Sequence, residues 1–155
     1  MSQYYQIRCE FFSEANEDFV KLTESLDAEL RQKNGDSQNK FDKFNRLDGI
    51  HDIVLGYCDD VPVACAAMKK ISLDCFEIKR VFVQRGFRNL GLARKMMDVL
   101  ETKAQQKGVK TLILETSKTF TPAIKLYTSL GYHEIARYAQ YRDMEESYCM
   151  EKTIT

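Results

Sequence analysis

Residues 85–95 read RGFRNLGLARK, with Gly86 and Gly91 five positions apart. That spacing suits a loop that grips phosphate. A nucleoside-triphosphate loop also needs Lys and then Ser or Thr directly after the second glycine, to reach the outer phosphates and to ligate magnesium. Leu92 and Ala93 stand in those places, so a nucleoside-triphosphate loop is not expected. Anion binding by backbone remains: a loop with few bulky side chains that opens a helix offers unpaired N–H groups and the positive end of the helix dipole, enough for a pyrophosphate. A plain strand-to-helix turn accounts for the same glycines. Glu115 closes the apolar run TLILET; a carboxylate there needs a partner, and it can bind substrate, act as a base or serve a structural hydrogen bond. The two histidines, His51 and His133, fall in separate strands without clustered carboxylates, so no metal site is expected. Five scattered cysteines form no Cys-x-x-Cys pair and suggest no disulfide framework. Cys58, Cys65 and Cys75 read as small buried apolar side chains.

The elements that must position these residues follow from periodicity. YYQIRCEFF reads as a first strand, and Phe19, Leu22, Leu26 and Leu30 recur at helical spacing up to Gly35. Ser37 to Asn45 is polar and reads as a loop or broken helix. DIVLGYCDDVPVACAAMKK reads as two strands folded back at Asp59-Asp60, and CFEIKRVFV as a third. From Gly91 to Lys107 the residues Leu92, Ala93, Met96, Met97, Leu100 and Ala104 form one helical stripe, with Arg94, Lys95, Glu101, Lys103 and Lys107 facing away. Gly108 ends it. TLILET reads as a buried strand. Thr121-Pro122 reads as a helix start with a hydroxyl N-cap, and Gly131 as its end. YHEIARY and SYCMEKTI read as two more strands. The order is strand, helix, three strands, helix, strand, helix, two strands: a mixed α/β sheet with helices on its faces.

Composition narrows the function. A chain of 155 residues, 44% hydrophobic and 30% charged, is expected to form one domain over 1–155 with a real core. Basic and acidic residues number 23 each; broad electrostatic binding to nucleic acid or membrane loses its usual support. MSQYYQIRCE lacks a signal-peptide layout and VPVACAAM is too short to cross a bilayer, so the expected address is cytoplasmic.

Arg88-Asn89-Leu90-Gly91-Leu92-Ala93 fits Arg/Gln-x-x-Gly-x-Gly/Ala, and here the sequence resembles the GNAT superfamily of acetyl-CoA-dependent N-acetyltransferases. The resemblance covers nearly the whole chain. EIKRVFV resembles the family's fourth strand, LILET its fifth, AIKLYTSLGY its following helix and turn, and SYCMEK the last strand of one bacterial branch. It implies an α/β (α+β) GNAT fold: a mixed, mostly antiparallel sheet of six to seven strands, about four flanking helices, and splayed fourth and fifth strands. Two departures stand in the loop. Asn89 replaces a common Gly, and Asn tolerates the left-handed conformation; Leu90 replaces a common Lys, removing one charge near the phosphates.

The site roles are likewise what the resemblance implies. Arg88 through Ala93 hold the coenzyme A pyrophosphate, mainly by backbone. The Val81, Phe82 and Val83 stretch lines the pantetheine arm, with backbone groups of Val81 and Val83 bonding to it and the Val81 N–H polarising the thioester carbonyl. Glu77, four residues before Val81, matches a glutamate general base, with Glu115 as competitor. Tyr127, in LYTSLGY, matches the tyrosine acid that protonates the departing thiolate. Asp27 and Glu29 in SLDAEL could meet a cationic amine, and Tyr138 and Tyr141 could line the acceptor cleft; an exposed acidic face and a sheet-surface role are the plainer readings.

The resulting expectation is acetyl transfer from acetyl-CoA, without a metal, to a primary amine of a small metabolite or amino-acid-like compound by direct attack. A protein or peptide acetyltransferase keeps the chemistry and changes the partner. A non-catalytic acetyl-CoA-binding module is the rival from another class, and a homodimer is a family expectation.

Overall fold

The computed structural model describes residues 5–35 and 47–155; the polar stretch Ser37 to Asn45 lies outside them. The elements run β1 (Ile7–Phe12), α1 (Glu17–Asn34), β2 (Ile50–Cys58), β3 (Val61–Lys70), β4 (Cys75–Val83), α2 (Leu92–Gln106), β5 (Thr111–Ser117), α3 (Thr121–Ser129), β6 (His133–Ile135), a 3-10 turn (Ala139–Tyr141) and β7 (Ser147–Thr153). They form one seven-stranded sheet in the order β1-β2-β3-β4-β5-β7-β6. The β1-β2, β2-β3, β5-β7 and β6-β7 pairs are antiparallel, whereas β4 and β5 run parallel. Among the described residues there are three α-helices and the 3-10 turn.

Two compact units partition the chain: the described residues of Met1–Lys69 with Lys79–Leu100, and Lys70–Ile78 with Glu101–Thr155. In the first, Asn16 caps α1 by accepting from the Phe19 N–H at 2.9 Å. Phe19 and Leu22 then enter a core with Ile50, Ile53, Leu55, Tyr57, Cys65, Ala67 and Phe82, with Leu26 packed against it. Each large side chain so buried stabilises the fold by about 1.5–3 kcal/mol. Asp59 and Asp60 both take positive φ, 48° and 67°, as a tight hairpin turn of the primed type requires. Gly56 lets α2 approach β2: a Cβ there would meet Leu92 Cδ2 at 3.0 Å and Ala64 Cβ at 3.1 Å.

In the second unit, β5 pairs with β7 along its whole length, from Thr111–Thr153 to Ser117–Ser147, and Leu112, Leu114, Cys149 and Met150 are buried. The β4–β5 ladder covers only Cys75–Thr111, Phe76–Leu112 and Glu77–Ile113, although both strands continue.

Several sequence expectations need correction. The N-cap of α3 is Phe120, not Thr121, and no side chain caps it. The chain turns earlier because the Phe120 carbonyl accepts from both the Ala123 and Ile124 N–H groups, after a turn closed by the Ser117–Thr119 hydroxyl pair. The strand read in YHEIARY shrinks to three residues, since pairing stops at Ile135–Cys149 and the chain enters the 3-10 turn through Ala139 at φ 48°. Cys75 is half-buried rather than buried, at the start of β4. Glu101 does not face solvent: Lys152 Nζ donates to it at 2.6 Å and Tyr132 Oη at 3.2 Å.

Candidate active site

The glycine-bearing loop leaves β4 at Val83 and enters α2 at Leu92. Asn89 sits at φ 64° and Gly91 at φ 85°, so the asparagine adopts the left-handed conformation that its polar side chain tolerates. The first helical bond runs from the Lys95 N–H to the Gly91 carbonyl at 3.0 Å, which leaves the Leu92 and Ala93 N–H groups ahead of the helical ladder. The Leu92 side chain is core at 1% exposure, while Leu90 and Ala93 are half-buried and Asn89 is exposed. Gly86, outside the six-residue motif, takes φ 91° in the preceding turn.

Arg88 folds back on the loop. Its Nε donates to the Val83 carbonyl at 2.8 Å, and its Nη2 reaches both carboxylate oxygens of Glu29, at 2.9 and 2.8 Å. Its guanidinium lies 5.9 Å from the centre of the Phe82 ring. Arg85 Nε adds a bond to Glu29 at 3.1 Å. Burial pushes the Glu29 carboxyl up, but the hydrogen bonds from Arg88 and Arg85 outweigh it and hold the group below the usual carboxylate range. Asp27, the other acid of SLDAEL, accepts from Arg80 Nη2 at 2.7 Å. Both acids of SLDAEL thus carry an arginine partner. Phe82 belongs to the core; Val81 and Val83 are half-buried.

Arg80 is the residue that sequence reasoning missed. It lies within β4 at φ 58°, a left-handed conformation costing a non-glycine residue of order 1 kcal/mol. It is 6% exposed, donates from Nη2 to the Thr23 carbonyl at 2.9 Å as well as to Asp27, and its buried Nε has no hydrogen bond among the described residues. Cys65 Sγ donates to the Arg80 carbonyl at 3.3 Å. No glycine or asparagine marks the position, so the sequence carried no signal of that backbone.

The second unit gathers carboxylates and phenols. Glu77 is only 4% exposed, and Tyr138 Oη donates to its Oε2 at 2.6 Å. Tyr138 and Tyr141 meet edge-to-face with centroids 5.5 Å apart. Glu115 is half-buried and accepts from Ser147 Oγ at 2.6 Å. Because Glu77 is level with Ile113 and Glu115 lies two residues further along β5, period-two alternation puts both carboxylates on one face. Tyr141 reports that proximity: burial raises its phenol, and the charges of Glu115 and Glu77 push it further. Burial likewise raises Tyr138, with Glu77 adding to it. Cys149, opposite Glu115 in the β5–β7 register, is pushed up to about 11, chiefly by burial. Ser147 and Cys149 join Glu77, Glu115, Tyr138 and Tyr141, the members of this cluster that the sequence had already singled out.

Tyr127 is 7% exposed on α3, and burial raises its phenol well above the usual value, so it stays protonated through neutral pH. Its ring meets Tyr132 edge-to-face at 6.0 Å. Tyr132 in turn donates to Glu101, which Lys152 neutralises, so a fixed chain of contacts orients the Tyr127 ring. Among the described residues no three His, Cys, Asp or Glu side chains gather as metal ligands, and no helix is long and apolar enough to cross a membrane.

The model of the acetyltransferase (GNAT) family matches residues 4–132, and the chain belongs to that family. A Klebsiella pneumoniae structure proposed to be an acyl-CoA N-acyltransferase superposes with a TM-score of 0.77 at 28% identity, covering 97% of this chain and 98% of that one. A GNAT-family acetyltransferase from Elizabethkingia anophelis, with acetyl-CoA bound, shares the fold at a TM-score of 0.70 and 16% identity, over 95% and 97% of the two chains. The ribosomal protein bS18-alanine N-acetyltransferase of Haemophilus ducreyi is 29% identical over 92 residues, which are 59% of this chain and 63% of that protein. The chain spans between 29% and 64% of the length of the curated relatives compared.

Proposed function

We propose that the chain is an N-acetyltransferase that passes the acetyl group of acetyl-CoA to a primary amine by direct attack. The observation that carries the reading is Glu77, a carboxylate kept almost wholly from solvent and held by Tyr138 at the point where the β4–β5 ladder stops. A binding module has no use for a buried, oriented base; an amine that must attack as the free base does.

In this reading the loop from Arg88 to Ala93 holds the pyrophosphate through backbone N–H groups at the start of α2. The Val81 N–H stabilises the oxyanion that develops on the thioester carbonyl. The amine nitrogen bonds to the carbonyl carbon, Glu77 takes its proton directly or through water, and the C–S bond breaks. Tyr127, protonated because it is buried, supplies the proton that neutralises the departing thiolate. Glu115, fixed by Ser147, binds acceptor on the same face as Glu77.

The acceptor is proposed to be a small metabolite or amino-acid-like amine. A protein N-terminus is the second reading, favoured by the relative named for bS18-alanine acetylation. One assay separates them: acetyl-CoA consumption over a panel of small amines and of peptides with a free N-terminal alanine. Turnover with small amines and none with peptides supports the first reading; the reverse supports the second. Binding of acetyl-CoA without turnover anywhere, and no change in Glu77→Gln or Tyr127→Phe, would return the chain to the binding-module class.

A further inference from the structure

We infer that Arg80 is a positioning residue for the transfer step: held by Asp27 and the Thr23 carbonyl, and with its own carbonyl held by Cys65, it fixes the Arg80–Val81 peptide so that the Val81 N–H faces the thioester oxygen. The inference rests on the proposed function, in which that N–H is the oxyanion donor, and adds what holds it in place.

Peptide planarity connects the two groups. The Arg80 carbonyl and the Val81 N–H belong to one rigid, trans peptide unit, so they point in opposite directions. Cys65 Sγ on β3 donates to the Arg80 oxygen, and the Val81 N–H therefore points away from Cys65. Regular strand geometry alone does not hold this peptide, because Arg80 has left the extended region for φ 58°. Strained backbone of this kind persists only where the surroundings over-determine it.

The surroundings do so through the side chain. Thr23 and Asp27 stand four residues apart on α1 and thus on one helical face, and a single Arg80 nitrogen bridges the Thr23 carbonyl and the Asp27 carboxylate at 2.9 and 2.7 Å. The Arg80 side chain is 2% exposed, so solvent offers the charge no alternative partner. Its Nε is left without a hydrogen bond among the described residues. A guanidinium placed only to satisfy its donors would not leave one buried and unused; this one is placed where its Nη2 end fastens β4 to α1. The acid that looked like an acceptor contact thus supports the backbone of the reacting centre.

The test reads the carbonyl itself. Acetyl-CoA labelled with carbon-13 at the acetyl carbonyl is bound to wild type, Arg80→Lys and Cys65→Ala, and the C=O stretch is followed by difference infrared spectroscopy, with coenzyme A affinity measured separately by calorimetry. Lysine keeps the charge but loses the planar fork; Cys65→Ala removes only the thiol, so it carries the test if Arg80→Lys does not fold. Wild type is expected to shift the stretch to lower frequency. Both variants should lose about half of that shift or more and fall roughly tenfold in kcat, while affinity for coenzyme A stays within about threefold. Variants that bind and shift as wild type does would overturn the positioning role alone. A wild type that binds without any shift would remove Val81 as oxyanion donor, and the inference with it. Equal losses in kcat and in coenzyme A affinity would also sink it, since general damage to the loop then accounts for both.

Discussion

Glu77 and Tyr138 stand 61 residues apart in sequence and 2.6 Å apart in space, and the pair shows how residue identity and residue role separate. Read alone, a glutamate in a strand is a solvated group. Burial leaves its orientation to protein groups, and Tyr138 supplies one of them. Replacing Tyr138 by Phe removes that hydrogen bond; with Glu77 as the proposed base, kcat should fall roughly tenfold while coenzyme A affinity stays within about threefold. An unchanged kcat would show that Tyr138 does not orient the carboxylate for the reaction. The family resemblance pointed to Glu77 and Tyr127, and the end of a buried apolar run to Glu115, but Arg80 was invisible, because its significance lies in a backbone angle that arginine does not advertise.

At the scale of the elements, α1 and α2 were legible because apolar spacing dictates which face each must bury: Phe19, Leu22 and Leu26 in one, Leu92, Met96, Met97 and Leu100 in the other. Asn89 in the left-handed region also follows from residue type. The start of α3 did not, because the competition between a Thr121 hydroxyl cap and the hydroxyl-closed turn before Phe120 is decided by neighbours, not by propensity. The contact of α2 with β2 depends on Gly56. An added methyl would press on Leu92 at 3.0 Å and on the Ala64 Cβ, which has no rotamer to change, at 3.1 Å. Gly56→Ala should cost about 1–3 kcal/mol in a urea titration. Since Leu92 begins the helix that follows the proposed pyrophosphate-binding loop, coenzyme A affinity should fall in the same variant.

For the molecule as a whole, equal numbers of acids and bases leave no net charge, and the electrostatics lie in how the charges are paired. Asp27 with Arg80, and Glu29 with Arg85 and Arg88, join α1 to the end of β4 and to the loop that follows. Glu29 makes the consequence measurable. Its native value lies below the ordinary 4.5, so its contribution to stability is complete above the unfolded value and is lost as pH falls through the depressed native one. Glu29→Gln should lower the melting temperature near neutral pH and flatten its decline below pH 4.5. A variant whose melting curve parallels wild type throughout the acid range would show that the arginines gain nothing from this carboxylate.

The buried thiols bear on the chemistry from another direction. A thioester acylates any accessible thiolate, so a protein that keeps acetyl-CoA at hand risks acetylating its own cysteines. Cys149 is pushed up to about 11 and Cys65 to about 12, each chiefly by burial. At neutral pH roughly one Cys149 in ten thousand is a thiolate. Cys149, opposite Glu115 in the β5–β7 register, is thereby kept a poor nucleophile by the same packing that builds the sheet.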